Sequence, residues 1–366
     1  MRILFSLFVL GHGLIHLMGF IKAFGLGNIQ QLTKEISRPG GVFWLLCALI
    51  FIAVAILFSL KWDIWIFIAI PAIIISQVLI ILAWQDAKFG SLANLLILIV
   101  VIPALAENRF SNMVNSEINK LLEQPAYSRQ LVTDDKLNHL PPVVQTWLRR
   151  SGVIGKPVIQ FIRLKQKGEM RTKEKGRWME FTAQQYFTVK EPQFIWRTRV
   201  KAMPLISMTG RDKLVNGEGH LVIKLFSLLT VAKAGNDEKM NTATMIRYLA
   251  EISWFPSAAL CEYIHWEPID SFSAKAIMNF RGVSAEGVFH FNASGDFTRF
   301  TADRYMGNGK DAKSEKWLVE ATGYKEFHGY RIPHKNKVTW QLHTGDFNWA
   351  NIEITEIEFN IPERYR

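Results

Sequence analysis

The sequence contains little cysteine and little charge for its length. Cys47 and Cys261 are the two cysteines among 366 residues, and 20% of the residues are charged. Two cysteines exclude a disulfide-rich secreted scaffold and a zinc site made of paired Cys-x-x-Cys motifs. By contrast, 49% of the residues are hydrophobic and 12% are aromatic, which excludes a disordered chain because so much apolar surface can be buried. The mean hydropathy is slightly positive, which is unusual for a soluble protein.

Motifs of several common enzyme classes are also missing. The sequence has no phosphate-binding P-loop, no Gly-x-Gly-x-x-Gly after a strand, no His-Glu-x-x-His, no Gly-x-Ser-x-Gly and no protein-kinase signature. We therefore expect no cofactor, and an enzymatic activity would have to use residues outside these motifs.

Apolar residues are concentrated at the amino-terminal end, in four runs separated by short polar breaks: Ile3–Phe20, Val42–Leu60, Ile64–Trp84 and Ser91–Ala106. A helix needs about 20 apolar residues to cross the hydrocarbon core of a bilayer. We predict four transmembrane helices in residues 1–106. The first run resembles a signal peptide in its position, but it contains His12 and His16, and no small-x-small site is followed by a soluble segment before the next spans.

The charge pattern does not orient these spans. Lysine and arginine residues near the span ends divide equally between the two sides: Arg2, Lys61, Arg109 and Lys120 on one side, and Lys22, Lys34, Arg38 and Lys88 on the other. The positive-inside rule therefore gives no answer.

Residues 107–139 are polar and suit a helical connector, and residues 140–366 predict one β-rich domain. Within that domain, apolar and polar residues alternate in nine runs, which favours antiparallel strands with one buried face: Val158–Met170, Trp178–Val189, Phe194–Val200, Leu221–Phe226, Ala274–Phe280, Gly287–Asn292, Trp317–Phe327, Lys337–His343 and Ala350–Phe359. A short helix is predicted to begin at Pro141-Pro142, and a longer one covers Asp237–Trp254, because Asp237 and Glu238 suit a helix amino terminus.

His12 and His16 are candidate metal ligands or proton carriers within the first span. Their spacing places both imidazoles on one helix face, and ionisable groups at membrane depth are costly enough to suggest a function. A metal would need a further ligand, for which Cys47, Gln77 and Asp86 are the options. The alternative is that both histidines bond neighbouring helices, with Gly11, Gly13 and Gly19 allowing close approach. We expect no metal.

In the β-rich domain, Arg247, Glu251 and Trp254 form the densest cluster of potentially functional residues. Glu251 could act as a general acid or base, with Arg247 or Arg211 positioning an anion, if burial raised the carboxyl pKa. The alternative, which we favour, is a surface salt bridge between Arg247 and Glu251.

The formal net charge of +11 suggests a nucleic-acid partner, but lysines and arginines alternate along residues 163–177 in a way that suits the wet face of two strands. Next to a membrane anchor, such residues attract anionic lipid headgroups. We expect membrane lipid as a partner and no nucleic acid.

Several motifs in residues 138–360 resemble a family of bacterial proteins known only as a domain of unknown function. They include Leu140-Pro-Pro-Val-Val-Gln-Thr-Trp-Leu148, Phe181-Thr-Ala-Gln-Gln-Tyr-Phe187, Arg247-Tyr-Leu-Ala-Glu251, Trp254-Phe-Pro256 and Gly329-Tyr-Arg-Ile-Pro333. The resemblance implies no activity. The expected fold is an α+β domain with a strongly curved antiparallel sheet wrapped around a helix, similar to the half-barrels of lipoprotein carriers.

If that fold holds, aromatic residues could line an apolar cavity for a lipid-like ligand: Trp178, Phe194, Trp196, Trp254 and Trp266, with Phe187, Trp317 and Trp340. Our leading hypothesis is a multi-pass protein of the bacterial inner membrane whose domain faces away from the cytoplasm and binds a hydrophobic ligand. The alternatives are an enzyme on an envelope substrate, and a structural domain that docks a partner onto a functional four-helix membrane unit.

Overall fold

The computed structural model describes residues 2–123, 130–204, 206–235, 237–307 and 309–365. The chain divides into two compact units, Met1–Ser111 and Asn112–Arg366. The seven α-helices of the described residues are α1 (Arg2–Ala23), α2 (Arg38–Ser59), α3 (Trp65–Leu82), α4 (Trp84–Ala87), α5 (Gly90–Leu122), α6 (Pro142–Ser151) and α7 (Glu238–Glu251).

The first unit is helical, and the predicted spans are present as helices. Helices α1, α2, α3 and α5 are long and apolar enough to cross a membrane. Helix α2 begins where the Ser37 side chain accepts a hydrogen bond from the Gly40 amide, with Pro39 in its first turn. Helix α5 continues past the apolar run to Leu122, so the first part of the predicted connector is a continuation of the fourth apolar helix. Residues 124–129 of that connector lie outside the described residues.

Close packing of α1 against α2 depends on glycine. A Cβ atom built on Gly19 would lie 2.2 Å from the Trp44 indole, and one on Gly13 would lie 2.8 Å from the Phe51 Cβ. A Cβ atom built on Gly11, in contrast, would have no atom of a neighbouring helix within 4 Å in the described part of the chain. Two of the three glycines therefore allow the close approach that the sequence predicts.

The second unit contains one antiparallel sheet with thirteen strands among the described residues. They are β1 (Phe161–Met170), β2 (Met179–Thr188), β3 (Gln193–Met203), β4 (Ile206–Val215), β5 (Glu218–Leu225), β6 (Leu229–Gly235), β7 (Ile264–Asp270), β8 (Ser273–Phe280), β9 (Val283–Phe291), β10 (Phe297–Met306), β11 (Lys313–Phe327), β12 (Tyr330–Leu342) and β13 (Gly345–Phe359).

The strand order divides the sheet into two wings. β1 to β6 form one meander and β7 to β13 the other, and the wings join where β1 pairs with β13. Strands β6 and β7 are the two edges, so the sheet is not closed, and α7 connects them along the chain. The helix contacts β4, β5 and β6 of one wing and β9 and β10 of the other. The expected curved antiparallel sheet around a helix is confirmed.

Alternating residues on the inner side of the sheet pack with α6, α7 and the 3₁₀ turns after α7 into one large apolar core. The largest fully buried side chains there include Phe187, Phe194, Tyr248, Phe255 and Phe289. Burial of this many aromatic rings is the main source of stability of the unit.

Candidate functional site

Four charged side chains lie inside the curved sheet, and we call Asp212, Arg247, Glu251 and Arg304 the interior charge cluster. Asp212 and Glu251 are buried, and the Arg247 side chain is 15% exposed. Charged groups in such a position are costly unless they are paired. The cluster contains two cations and two anions.

The local structure explains why these residues point inward. The Asp237 carboxylate accepts a hydrogen bond from the Met240 amide and caps α7, and Arg247 and Glu251 follow one turn apart on the same helix face. On β4, alternation sends Asp212 inward, whereas Arg211 contacts Glu117 at 3.1 Å. The same alternation therefore separates Arg211 from the cluster.

Arg247 is the centre of the cluster. Its Nε donates to Glu251 Oε1 at 2.8 Å, and its Nη1 donates to Asp212 Oδ2 at 2.6 Å. The Gln185 amide donates to the second Glu251 oxygen at 2.8 Å. The sequence-based expectation of a surface salt bridge between Arg247 and Glu251 is therefore wrong, because α7 is enclosed by the sheet instead of lying on its outside.

Aromatic rings surround both guanidinium groups. The Arg247 group lies 5.0 Å from the Phe194 ring centroid and 4.9 Å from that of Trp196. Arg304 lies 4.7 Å from the Trp317 ring and 5.5 Å from the Trp340 ring. Such cation–π contacts stabilise partly desolvated arginines.

Burial also changes the acidity of these groups. Desolvation raises the pKa of Glu251 above its ordinary value, and the attraction of Arg247 opposes that rise. Desolvation lowers the pKa of Arg304 to about 10, so its guanidinium is still a cation at neutral pH. A carboxyl with a raised pKa meets one requirement of a general acid, but both Glu251 oxygens already accept hydrogen bonds from protein donors.

Several polar atoms beside the cluster have no hydrogen-bond partner among the described residues. They are Gln166 Nε2, Gln185 Oε1, Asp212 Oδ1 and Trp317 Nε1. Gln185, Trp196 and Asp212 lie opposite one another on β2, β3 and β4, and the Trp196 indole donates to Gln166 Oε1 at 2.8 Å. We call Gln166, Gln185, Trp196 and Asp212 the polar band. Buried polar atoms nearly always have hydrogen-bond partners, so the polar band is suited to receive a polar group.

A cavity of about 160 Å³ borders the band. Asp212, Arg304 and Trp340 contribute to its wall, together with the beginning of α7 at Met240 and Ala243. Its size suits a small polar group or a few water molecules.

The predicted aromatic ligand residues do not form one group. Phe194 and Trp196 meet at Arg247, and Trp266 packs against Phe289 at 5.0 Å between ring centroids. Trp254 is buried in the same apolar core. Trp178 lies apart, with its ring 4.6 Å from the Arg171 guanidinium.

The polar band includes residues that the sequence analysis missed. Gln166 and Gln185 were not singled out, because each lies in a predicted strand where a polar residue is expected on the solvent-exposed face. A usable signal was their spacing: Gln185 is in phase with the buried Phe187, and Gln166 with the buried Leu164.

His12 and His16 join a polar network inside the helical unit. His12 Nε2 lies 3.0 Å from Asn94 Oδ1, and His16 Nε2 lies 2.9 Å from Ser76 Oγ. The Asn94 amide in turn donates to Gln77 Oε1 at 3.1 Å. The network ties α1, α3 and α5 together.

The further ligands considered for a metal are engaged elsewhere. The Cys47 thiol contacts the Ala72 carbonyl oxygen at 3.6 Å, and the Asp86 carboxylate accepts hydrogen bonds from Thr33. Within the described ranges, no group of three His, Cys, Asp or Glu side chains could hold a metal ion.

Comparison with known proteins identifies the chain by family. Residues 130–352 match the model of a family of unknown function, DUF6544, and the chain belongs to that family. The resemblance to a domain of unknown function is confirmed. Among curated proteins, none is significantly similar.

Three of the solved structures that are similar to this chain come from bacteria. A LolA superfamily protein from Nitrosomonas europaea is 9% identical, with a TM-score of 0.34 over 60% of this chain and 94% of that one. A DUF1329 family protein from Desulfovibrio piger is 9% identical, with a TM-score of 0.37 over 61% and 93%. A putative outer membrane lipoprotein-sorting protein domain from Vibrio parahaemolyticus is 9% identical, with a TM-score of 0.36 over 61% and 92%. So distant a likeness concerns the fold and does not extend to function.

Proposed function

We propose that this member of the DUF6544 family is a membrane-anchored binding protein whose β domain takes up an amphipathic, lipid-like molecule at the bacterial envelope. The polar band carries the proposal, because Gln166, Gln185 and Asp212 each present a buried atom without a partner among the described residues. These atoms offer donors and acceptors to the polar part of a ligand.

The surroundings of the band suit the apolar part of the same molecule. The rings of Phe194 and Trp196 border the cluster on one wing, and those of Trp317 and Trp340 border it on the other. A ligand with an apolar chain would lie among these rings while its polar group reaches the band. Entry requires α7 to move away from one wing, and the Arg247–Asp212 pair and the Gln185–Glu251 hydrogen bond oppose movement away from the wing that contains β2 and β4.

The direct test is to identify what the protein carries. The full chain is purified in mild detergent, and the bound molecules are extracted and measured by mass spectrometry. Gln166→Leu removes the unpartnered amide, and we expect a several-fold loss of bound ligand. Gln184→Leu is the matched control, since Gln184 is the next residue to Gln185 on β2 and points to the opposite face.

Two outcomes would contradict this function. In the first, the extract of the purified chain contains no molecule beyond those found in a detergent sample without protein. In the second, a ligand is bound, but Gln166→Leu carries as much of it as the parent chain. A thermal unfolding measurement of both variants separates loss of ligand from loss of fold.

An enzyme with Glu251 as acid or base is the second candidate, and the raised pKa of Glu251 supports it. Arg247 contacts Glu251 and would hold an anion only after giving up one of its carboxylate partners. Arg211 contacts Glu117 instead and is the weaker choice for positioning a substrate.

A third candidate places the activity in the helical unit, with the β domain as a docking structure. The network of His12, His16, Ser76 and Asn94 supports it, because polar groups at membrane depth mark ion or proton pathways. Elemental analysis and absorption spectra of the purified chain test it, and absence of both metal and haem favours a packing role for the histidines.

The location of the protein belongs to the same proposal: the bacterial inner membrane, with the β domain outside the cytoplasm. Alkaline phosphatase fused to the carboxyl terminus is active only outside the cytoplasm, so we expect an active fusion. If the phosphatase fusion were inactive and a fusion to green fluorescent protein were fluorescent, the β domain would lie in the cytoplasm and the proposed orientation would be wrong.

A further inference from the structure

Two neighbouring hairpins end in exposed apolar side chains, and we call them the apolar tips. Met203 is the last residue of β3 and Pro204 follows it, and the β5–β6 hairpin contributes Phe226, Leu228, Leu229 and Val231. The two hairpins are adjacent because β4 pairs with β5, and the Phe226 amide donates to the Ser207 carbonyl oxygen at 3.0 Å. Exposed large apolar residues that cluster in this way mark an interaction surface.

The turn between β5 and β6 has positive φ angles at two residues, neither of which is glycine. Three other hairpin turns have positive φ at two successive residues and place glycine second: Asn216-Gly217, Arg281-Gly282 and His328-Gly329. In the β5–β6 turn the same two positions hold Phe226, with φ of 51°, and Ser227, with φ of 58°. A bulky residue is strained in this left-handed region, and such strain concentrates at functional positions.

The charges on the strand ends that carry the apolar tips are positive. Residues 199–210 and 221–235, which include the ends of β3, β4, β5 and β6 near the tips, contain Arg199, Lys201, Lys224 and Lys233 and no aspartate or glutamate. Lys201 pairs with Glu180 on β2. Apolar side chains at the end of a basic surface are the pattern of segments that lie in the interface of an anionic bilayer.

We propose that the apolar tips dock into the headgroup region of an anionic lipid bilayer. The occupant is the bilayer because the same chain has four helices long and apolar enough to cross one, which keeps the domain near lipid at all times. Phe226 and Leu228 reach the boundary between the headgroups and the acyl chains, and the lysines and arginines behind them contact phosphate groups. This contact is independent of the ligand proposed for the interior of the sheet.

A fluorescent reporter tests the docking in the full chain. Cys47 and Cys261 are replaced by alanine, Leu228→Cys is labelled with an environment-sensitive dye, and the protein is placed in nanodiscs of phosphatidylcholine with phosphatidylglycerol. We expect a blue-shifted emission and strong quenching by headgroup-level nitroxide lipids. Arg281→Cys is the matched control, because Arg281 occupies the first position of a turn of the same type, and its label should emit as in water.

Changing the lipid charge and replacing the strained residue Phe226 give two further tests of the docking. In nanodiscs of phosphatidylcholine alone, quenching of the Leu228→Cys label should fall several-fold. Phe226→Asn should reduce quenching as well and raise the thermal midpoint, since asparagine tolerates a positive φ. A rise in midpoint together with lost quenching shows that the fold is intact.

Three results would overturn the docking. The first is a Leu228→Cys label that emits as in water in both lipid mixtures. The second is equal quenching of the Leu228→Cys and Arg281→Cys labels. The third is shielding of the Leu228→Cys label only in fractions where size-exclusion chromatography shows a dimer, which would assign the apolar tips to a second copy of the chain.

Discussion

Arg247 Nη1 lies 2.6 Å from Asp212 Oδ2, and this contact joins the helix inside the sheet to the fourth strand of one wing. The same guanidinium also holds Glu251, so one arginine compensates two buried carboxylates. The stability of the domain should therefore depend unequally on the three residues.

Arg247→Met should destabilise the domain by about 3–5 kcal/mol, because it removes the guanidinium that contacts both buried carboxylates. Chemical unfolding of the full chain, followed by tryptophan fluorescence, measures the change. The control is Lys201→Met, which breaks an exposed pair with Glu180 and should cost about 0–1 kcal/mol. Equal costs for the two variants would show that the interior charge cluster is not a structural centre.

Glu251→Gln should cost less than Arg247→Met, about 1–3 kcal/mol, because the glutamine oxygen still accepts a hydrogen bond and Asp212 still pairs with Arg247. The same unfolding experiment compares the two variants. If Glu251→Gln were the more damaging change, the Glu251 carboxylate rather than Arg247 would be the centre of the cluster.

Asp296 should make stability depend on acid. Arg331 donates to both Asp296 oxygens, at 2.8 and 3.0 Å, and these bonds hold the pKa of Asp296 below its usual value. An aspartate in an unfolded chain titrates at about pH 3.9. The stabilisation is therefore fully present above that pH and is lost as the pH falls through the lower pKa of the folded state.

Thermal midpoints measured from neutral to acidic pH check this sign. The difference between the parent chain and Asp296→Asn should be largest at neutral pH and shrink toward zero in acid. Asp303→Asn, which removes an exposed partner of Lys316, should give a small difference because exposed ion pairs contribute little to stability. A difference for Asp296→Asn that grows in acid would contradict the assignment.

Gly19→Ala should disrupt the packing of α1 on α2, since the added Cβ would lie 2.2 Å from the Trp44 indole. Gly11→Ala adds the same methyl group where no described atom lies within 4 Å, and its better helix propensity should leave the unit equally or more stable. The folded yield after detergent extraction and the thermal midpoint compare them. Equal behaviour would mean that α2 yields to the methyl group.

The sequence predicted the apolar helices and α7 well because each has a long, regular signal. It did not predict β4, β6, β7 or β10, and for β4 and β10 the reason is physical: Asp212 and Arg304 place charges on the inner face and break the expected alternation. Strand β7 contains Pro268, which suits its position at the edge of the sheet. Asp212 and Arg304 belong to the interior charge cluster, and the same two residues prevented β4 and β10 from being recognised as strands.

The inward position of Arg247 and Glu251 could not be read from their spacing. Residues one turn apart are neighbours on a helix wherever that helix lies, so the pair was expected but not its burial. Burial followed from the two wings meeting around α7, which is a property of strand order across some 200 residues of sequence and not of any local pattern.

Because β1 pairs with β13, the sheet can be completed only after the whole domain has been synthesised. Leu164 lies opposite Ile357, so the first strand to leave the ribosome waits for the last one. Until then each wing exposes an extra unpaired edge, at β1 and at β12, and open edges promote aggregation. A chain that stops before β13 retains its four long apolar helices but displays two such edges, so we expect it to aggregate.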